Sequence, residues 1–240
     1  MSEEKLIFTI DGVRVEASSG QTVIQACDAA GIYIPRLCHH PELEPAGHCR
    51  ICTCKVNGRN VNTCTLPAEH GMVIENDTAE LKSDRRTIIE MLFVEGNHFC
   101  PSCEKSGDCE LQALGYRLDM IAPTLPYLWE HRKLDATHPD IFIDRNRCVL
   151  CSRCVRASRT EDDKTIFGFE GRGIHMLINI NTQGRLDETG LAVADKAAHV
   201  CPVGCIVVKH TGYRIPEGTR TYDQKPIGSD IEAKRNSPKV

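Results

Sequence analysis

The stretch GNHFCPSCEKSGDC, residues 96–109, places one histidine and three cysteines within twelve residues: His98, Cys100, Cys103 and Cys109. The spacing C-x2-C-x5-C requires a backbone that curls around one point, because thiols on a straight strand or helix would point apart. Three soft thiolates and one imidazole nitrogen suit an iron–sulfur cluster or zinc. Taken alone, the stretch leaves both open, since a structural zinc site can also use three cysteines and one histidine.

The composition indicates small modules that are held together partly by metal. The chain has 240 residues, of which 41% are hydrophobic but only 5% aromatic, and it carries fourteen cysteines. Its start, MSEEKLIFTIDG, lacks a signal-peptide pattern, and no apolar run is long enough for a membrane span. We therefore expect a cytoplasmic protein whose cysteines bind metal instead of forming disulfides. A formal net charge of −4 argues against nucleic-acid binding.

The N-terminal residues predict a β-hairpin followed by a helix. Apolar residues alternate over residues 5–17 around the turn Asp11-Gly12, a strong hairpin signal. Thr22 is a candidate N-cap for a helix that ends near Gly31. Cys27 lies on the apolar face of that helix and is expected in the core.

A first set of cysteines follows this helix with the spacing C-x10-C-x2-C-x11-C: Cys38, Cys49, Cys52 and Cys64. The order hairpin, helix, cysteine-rich loop and strand resembles the β-grasp [2Fe–2S] ferredoxin, whose plant-type spacing is C-x4-C-x2-C…C. The longer first loop is similar to the N-terminal domain of the large iron–sulfur subunit of complex I, of iron-only hydrogenases and of the diaphorase of NAD-reducing hydrogenases. The resemblance implies a [2Fe–2S] cluster on these four cysteines. Cys54 is assigned to the core, whereas Gly47 and Arg50 are open between ordinary loop residues and residues that serve the cluster.

The opening stretch lies between two predicted helices, over residues 79–95 and directly after Cys109. It resembles the complex I and iron-only hydrogenase segment H-x3-C-x2-C-x5-C, which continues with an acidic residue, Leu and Gln, as in Glu110-Leu111-Gln112. The family's histidine position is Gly96 here, and His98 stands two residues later. This shifted form is similar to the small diaphorase subunit of NAD-reducing [NiFe] hydrogenases. The resemblance implies a [4Fe–4S] cluster held by His98 and the three cysteines.

The third set predicts one [4Fe–4S] cluster from spacing. Cys148, Cys151 and Cys154 have the spacing C-x2-C-x2-C, and Cys201-Pro202 lies downstream. A two-cluster bacterial ferredoxin repeats C-x2-C-x2-C-x3-C-P, each run giving its fourth cysteine to the other cluster. Here Ser158 replaces one fourth cysteine, and the three positions that should precede Cys201 are Leu191, Ala194 and Ala197. One complete ligand set therefore remains, and Cys205 is expected in the core.

The remaining segments are assigned to connections and surface. Residues 121–140 read as a linker that packs against its neighbours, and His131 and His138 as surface or capping residues. The arginines beside the third set indicate either a solvated basic face or local compensation of cluster charge: Arg145, Arg147, Arg153, Arg156 and Arg159. The polar tail is expected to be an arm that orders on a partner. Gly168, Gly171 and Gly173 lack dinucleotide-binding spacing, so we expect no flavin or NAD on this chain.

The predicted fold is α+β with a C-terminal arm, and its parts are residues 1–78 (β-grasp [2Fe–2S]), 79–120 (helical [4Fe–4S]), 121–140 (linker), 141–210 (ferredoxin-like [4Fe–4S]) and 211–240 (arm). The whole chain up to the tail resembles the small iron–sulfur subunit of the diaphorase module of NAD-reducing [NiFe] hydrogenase. That resemblance implies an electron-transfer subunit without catalytic residues of its own. Its expected partners are the FMN/NAD-binding diaphorase subunit and the small and large [NiFe] hydrogenase subunits.

Two alternatives stay open at the level of sequence. The first is an electron-transfer subunit of an NAD-dependent formate dehydrogenase or of a complex I-like NADH dehydrogenase, which the same clusters would serve. The second is a structural zinc-binding scaffold. Acid-labile sulfide and a brown colour would separate an iron–sulfur protein from the zinc scaffold.

Overall fold

The computed structural model describes residues 5–182 and 184–236. It begins with the predicted hairpin, in which β1 (Leu6–Ile10) pairs with β2 (Val13–Ala17). Asp11 and Gly12 both have positive φ, 49° and 76°, as a two-residue type I′ turn requires. Thr22 caps α1 (Val23–Ala29) in a capping box with Gln25.

The hairpin belongs to a mixed five-stranded sheet of the β-grasp type. Its other strands are β3 (Thr53–Val56), β4 (Arg59–Asn62) and β5 (Val73–Glu75). The strand order is β2-β1-β5-β3-β4, and β1 runs parallel to β5. Alternate side chains of these strands are buried beneath α1, which agrees with the period-two pattern of the sequence.

Two helices frame the opening stretch, as predicted. The first is α2 (Ala79–Val94), which begins at its N-cap Thr78, and the second is α3 (Glu110–Arg117). Cys109 is the N-cap residue of α3, and Cys100–Ser102 form a short 3-10 turn. The three cysteines therefore lie on a turn and a helix start, where the backbone changes direction.

The ferredoxin-like part contains a three-stranded and a two-stranded sheet around one helix. Its first strand, Leu134–Asp135, lies within residues 121–140, so part of the predicted linker belongs to this sheet. The first sheet consists of β6 (Leu134–Asp135), β7 (Ile141–Asp144) and β10 (Ile206–Val208), in the order β10-β7-β6. In the second sheet, β8 (Phe167–Glu170) pairs with β9 (Leu177–Ile180). The helix α4 (Arg153–Thr160) starts within the third cysteine run.

The linker packs against its neighbours, as expected. The carboxylate of Glu90 on α2 accepts hydrogen bonds from Thr124 and from the backbone N–H of Leu125. His131 is exposed. His138 is buried, and its Nδ1 accepts the backbone N–H of Asp140 at 3.0 Å. It is therefore neither a surface residue nor a helix cap, but a buried residue that holds the turn before β7.

Two hydrophobic cores are present in the described part of the chain. One fills the β-grasp region, with Phe8, Ile24 and Ile74 fully buried. The other runs continuously from Leu37 and Ile51 through α2 and α3 into the ferredoxin-like strands and reaches Ile227. The helical and ferredoxin-like regions thus share one core, although their sequences suggest separate modules.

The C-terminal arm lies across this chain itself, whereas the sequence led us to expect it on a partner. The backbone N–H of Tyr222 donates to the Gly107 oxygen at 2.9 Å, and the Tyr213 hydroxyl donates to the Ser102 oxygen at 2.7 Å. The arm ends in α5 (Ser229–Asn236), where Glu232 forms an ion pair with Arg117 of α3. Across the described ranges, no helix combines the length and apolar character that a membrane span needs.

Candidate iron–sulfur centres

The four cysteines of the first set come together in the structure. The backbone N–H groups of Cys38 and Cys49 each donate to the other residue's Sγ at 3.4 Å. Hydrogen bonds from the thiols of Cys49 and Cys64 lower the pKa of Cys38. A hydrogen bond with Cys64 likewise lowers the pKa of Cys52, to about 7. The same hydrogen bonds raise the pKa of Cys49 and of Cys64, so the four thiols are close enough to share protons. Four thiols gathered in this way suit a cluster, whose ligands are thiolates.

Cys54 and Cys27 lie apart from this network, as predicted for core residues. Cys54 is fully buried, and its Sγ lies 3.5 Å from Asn76 Oδ1 and from Arg85 Nη2. Burial raises the pKa of Cys54 to about 12. Cys27 is also fully buried, and burial raises its pKa. Both are therefore protonated core thiols at neutral pH.

The middle set is arranged around a tight polar turn. The backbone N–H of Cys103 donates to the Cys100 oxygen at 3.1 Å. Gly107, with φ of +82°, donates its N–H to Gln112 Oε1 at 2.8 Å. Burial raises the pKa of Cys109 to about 12 and also raises that of Cys100, with a further increase from Cys103. Burial thus favours the protonated form of the Cys100 and Cys109 thiols.

The imidazole of His98 lies where the Cβ of a histidine at position 96, the family's histidine position, would be. A Cβ at Gly96 would lie 2.5 Å from His98 Nε2. This nitrogen is buried and has no hydrogen-bond partner among the described residues, those three thiols included. Burial, assisted by Arg147, lowers the pKa of His98 to about 4, so the ring is neutral at pH 7. A buried neutral imidazole with an unpartnered nitrogen fits a metal ligand.

The third set lies at the start of α4 and beside β10. Cys148, Cys151, Cys154 and Cys201 interact electrostatically with one another. Burial raises the pKa of Cys151 to about 12, and Cys201 adds to the effect. Leu150 and Ser152 both have positive φ, 51° and 61°, which turns the chain between the cysteines. These four donors are thiols, the chemistry that iron–sulfur clusters require.

Cys205 is buried as predicted, but it is not an isolated core residue. Its thiol hydrogen-bonds with both Cys148 and Cys201. That contact lowers the pKa of Cys201 to about 6. The third site therefore contains five cysteines, one more than the sequence predicts.

The second half-site of a two-cluster ferredoxin is filled by protein. Ser158 is fully buried, with its hydroxyl donating to the Val155 oxygen at 3.2 Å. Leu191 and Ala197 are also buried in the apolar core, while Ala194 is exposed. The four substituted positions thus hold ordinary packing and surface residues.

Most of the arginines beside the third set turn inward, so the prediction of a solvated basic face is wrong. Arg153 is 3% exposed and makes a two-pronged hydrogen bond to the Glu110 carboxylate at 2.5 and 2.7 Å. Arg145 is buried against the Ile178 oxygen at 3.0 Å. Arg156 reaches the Cys38 oxygen at 2.5 Å, while Arg159 is exposed. The inward-facing arginines bind a carboxylate and backbone oxygens of this chain, while their predicted compensation of cluster charge stays a prediction.

Within the described ranges, no three histidine, cysteine, aspartate or glutamate side chains are grouped tightly enough to hold a single metal ion. A cluster makes a different demand, because its protein ligands bind different iron atoms around an inorganic core.

Comparison with known protein families first defines a class. A "2Fe-2S iron-sulfur cluster binding domain" model matches residues 3–79, and an "NADH-ubiquinone oxidoreductase-G iron-sulfur binding region" matches residues 85–122. A "4Fe-4S single cluster domain" matches residues 141–208. These matches define an iron–sulfur protein with [2Fe–2S] and [4Fe–4S] regions and support the predicted α+β class.

Full-length comparison then defines the family. The NAD-reducing hydrogenase HoxS subunit gamma of Cupriavidus necator is 38% identical over 221 residues, covering 92% of this chain and 94% of the relative. The crystal structure of an NAD+-reducing [NiFe]-hydrogenase in the H2-reduced state contains a chain that is 44% identical, with a TM-score of 0.92 and coverage of 96% and 98%. The chain belongs to the family of NAD-reducing hydrogenase gamma subunits. The predicted family, and with it an electron-transfer subunit of an oxidoreductase, is confirmed.

The complex I alternative has weaker support. The 78 kDa subunit of mitochondrial NADH-ubiquinone oxidoreductase from Candida albicans is 31% identical over 232 residues. This chain covers 32% of that relative's length. The similarity agrees with the predicted relationship to complex I, while the match over both full lengths favours the hydrogenase subunit.

Proposed function

We propose that this chain holds three iron–sulfur clusters in separate sites and transfers electrons between active sites on other subunits. The ligands of the [2Fe–2S] cluster are Cys38, Cys49, Cys52 and Cys64. Those of the middle [4Fe–4S] cluster are His98, Cys100, Cys103 and Cys109. Those of the third, also [4Fe–4S], are Cys148, Cys151, Cys154 and Cys201. The observation that carries this proposal is the convergence of thiols into three groups that coincide with three family matches.

The sites are named by their order in the sequence, but in space the third site lies between the first and the middle site in this proposal. On one side, Arg156 of α4 hydrogen-bonds to the Cys38 oxygen of the first site. On the other, the Pro202 oxygen accepts the backbone N–H of Glu110, which follows Cys109. These contacts support an electron path in which the third site connects the first and middle sites. Iron–sulfur clusters supply single-electron transfer, and the surrounding hydrogen bonds and burial set their potentials.

The partners follow from the family. Electrons would pass between the small and large [NiFe] hydrogenase subunits and an FMN/NAD-binding diaphorase subunit, with no flavin or NAD on this chain. Two similarities support this assembly: the Cupriavidus relative is a subunit of an NAD-reducing hydrogenase, and the similar crystallised chain is part of an NAD+-reducing [NiFe]-hydrogenase. The fourteen free thiols support a reducing, cytoplasmic location.

Anaerobic purification of the chain with its partners tests the proposal. Three clusters predict roughly ten iron atoms and ten sulfides per chain, from one [2Fe–2S] and two [4Fe–4S] units. Stepwise reduction should then give three distinct EPR signals. An intact assembly without acid-labile sulfide would contradict the proposal and favour the zinc scaffold.

A further inference from the structure

Arg147 projects from the third site toward the middle site. It directly precedes Cys148, but its Nη1 lies 3.6 Å from Cys103 Sγ, within hydrogen-bond range for sulfur. The same Nη1 lies 2.6 Å from Glu104 Oε2. The side chain of Arg147 therefore contacts a thiol of the middle site, while the next residue in the chain is the first cysteine of the third site.

The surrounding residues hold this guanidinium in place. Its Nε lies 3.1 Å from Asp144 Oδ2, and its side chain is 17% exposed. Gly204, in the loop after Cys201, packs against the contact, where a Cβ would lie 2.8 Å from Cys103 Sγ and 3.3 Å from Arg147 Nη1. Two carboxylates and a closely packed backbone thus fix a flexible side chain at one distance from the sulfur.

A fixed positive charge near a thiolate has a definite effect on reduction. An added electron makes the site more negative, so a nearby cation stabilises the reduced form more than the oxidised form. Net charge and hydrogen bonds to sulfur are established determinants of cluster potential. Glu104 opposes this effect, because its carboxylate lies 2.6 Å from the guanidinium that contacts the sulfur and partly offsets the positive charge there.

We propose that Arg147 and Glu104 together set the reduction potential of the middle site, with Arg147 raising it and Glu104 lowering it. This inference rests on the proposed function, because it requires a cluster on Cys103. Arg147 acts only through its positive charge. One electron enters the site on reduction, and the guanidinium neither gives nor takes a proton.

Redox titration of the complete complex, followed by EPR, tests the inference. Arg147→Gln should shift the midpoint of the middle-site signal to a more negative potential, by more than it shifts the other two signals. Glu104→Gln should shift the same midpoint in the positive direction. Arg159→Gln is the matched control, because it removes the same charge from an exposed position on α4 and should leave the middle-site midpoint unchanged.

The outcomes separate this inference from the proposed function. A wild-type complex without a reducible middle site would overturn the proposed function. A reducible middle site whose midpoint is the same in the wild type and in Arg147→Gln would overturn the inference alone. If Arg147→Gln loses the middle-site iron, Glu104→Gln decides: a positive shift supports the inference, and an unchanged midpoint overturns it.

Discussion

His98 differs from its neighbours because its Nε2 is buried without a hydrogen-bond partner among the described residues. Leaving a buried polar atom unpaired costs about 1–3 kcal/mol. Binding to iron would remove that cost, and the geometry at Gly96 explains how a histidine two residues out of register reaches the same space. If His98 is a ligand, as proposed, the shift changes only the position from which the imidazole reaches the site.

Replacing His98 with cysteine tests this assignment. His98→Cys should retain the middle cluster but lower its midpoint potential, because all-cysteine ligation gives lower potentials than ligation that includes histidine. EPR-monitored redox titration measures the change. His131→Cys, on the exposed part of the linker, should leave the midpoint unchanged. An unaltered spectrum and midpoint in His98→Cys would exclude His98 as a ligand.

The five cysteines of the third site give a second prediction at this scale. Cys201→Ala should lose roughly four iron atoms per chain, since it removes a proposed [4Fe–4S] ligand. Cys205→Ala should retain its iron, although it removes the hydrogen bonds to Cys148 and Cys201. Iron and sulfide analysis after anaerobic purification compares the two. Equal iron loss in both variants would show that Cys205 is also required.

Among the secondary-structure elements, α4 makes the contacts that join the three sites. Its first residue, Arg153, is buried and pairs with Glu110 of α3, and its Nη2 donates to the His39 oxygen at 2.8 Å. One arginine thus connects segments that follow Cys38, Cys109 and Cys151. A buried pair of this kind stabilises the fold only while both partners are present.

Arg153→Met should therefore destabilise the protein strongly. It leaves the Glu110 carboxylate, whose side chain is 24% exposed, without its guanidinium partner, and the expected loss is about 1–3 kcal/mol. Anaerobic urea denaturation of the purified complex compares the variant with the wild type. Arg159→Met, an exposed change in the same helix, should stay within about 0.5 kcal/mol. Similar midpoints for the two variants would refute a structural role for the Arg153–Glu110 pair.

Elements with strong local signals were predictable from the sequence, and long-range contacts were not. The Asp11-Gly12 turn and the Thr22 cap depend on neighbouring residues, and both formed as expected. The inward turn of Arg153 and Arg145 depends on partners that are distant in sequence. For the same reason, the spacing of Cys205 could not show that its thiol reaches Cys148.

On the scale of the whole molecule, the C-terminal arm encloses the middle site. It contacts Ser102, Gly107 and Asp108, and it then continues to α3 and to Gly31 near the β-grasp region. The polar composition of the tail predicted an arm but could not identify the surface that it covers. That surface belongs to this chain.

Truncation before Gly212 should therefore affect one site selectively. Without the arm, the turn that carries the middle cysteines loses its contacts with Tyr213, Thr221 and Tyr222. We expect loss of the middle-site EPR signal, while the first-site [2Fe–2S] signal is retained as an internal control. A truncated protein with all three signals intact would show that the arm is dispensable for cluster retention.

The buried Ser158 has a consequence for how many electrons the ferredoxin-like region can hold at once. Where a two-cluster ferredoxin offers neighbouring places for two electrons, this region offers one. This region would therefore accept one electron at a time, and each electron must leave before the next arrives. Under the proposed function, two-electron chemistry on a partner subunit would receive its electrons from this region one at a time.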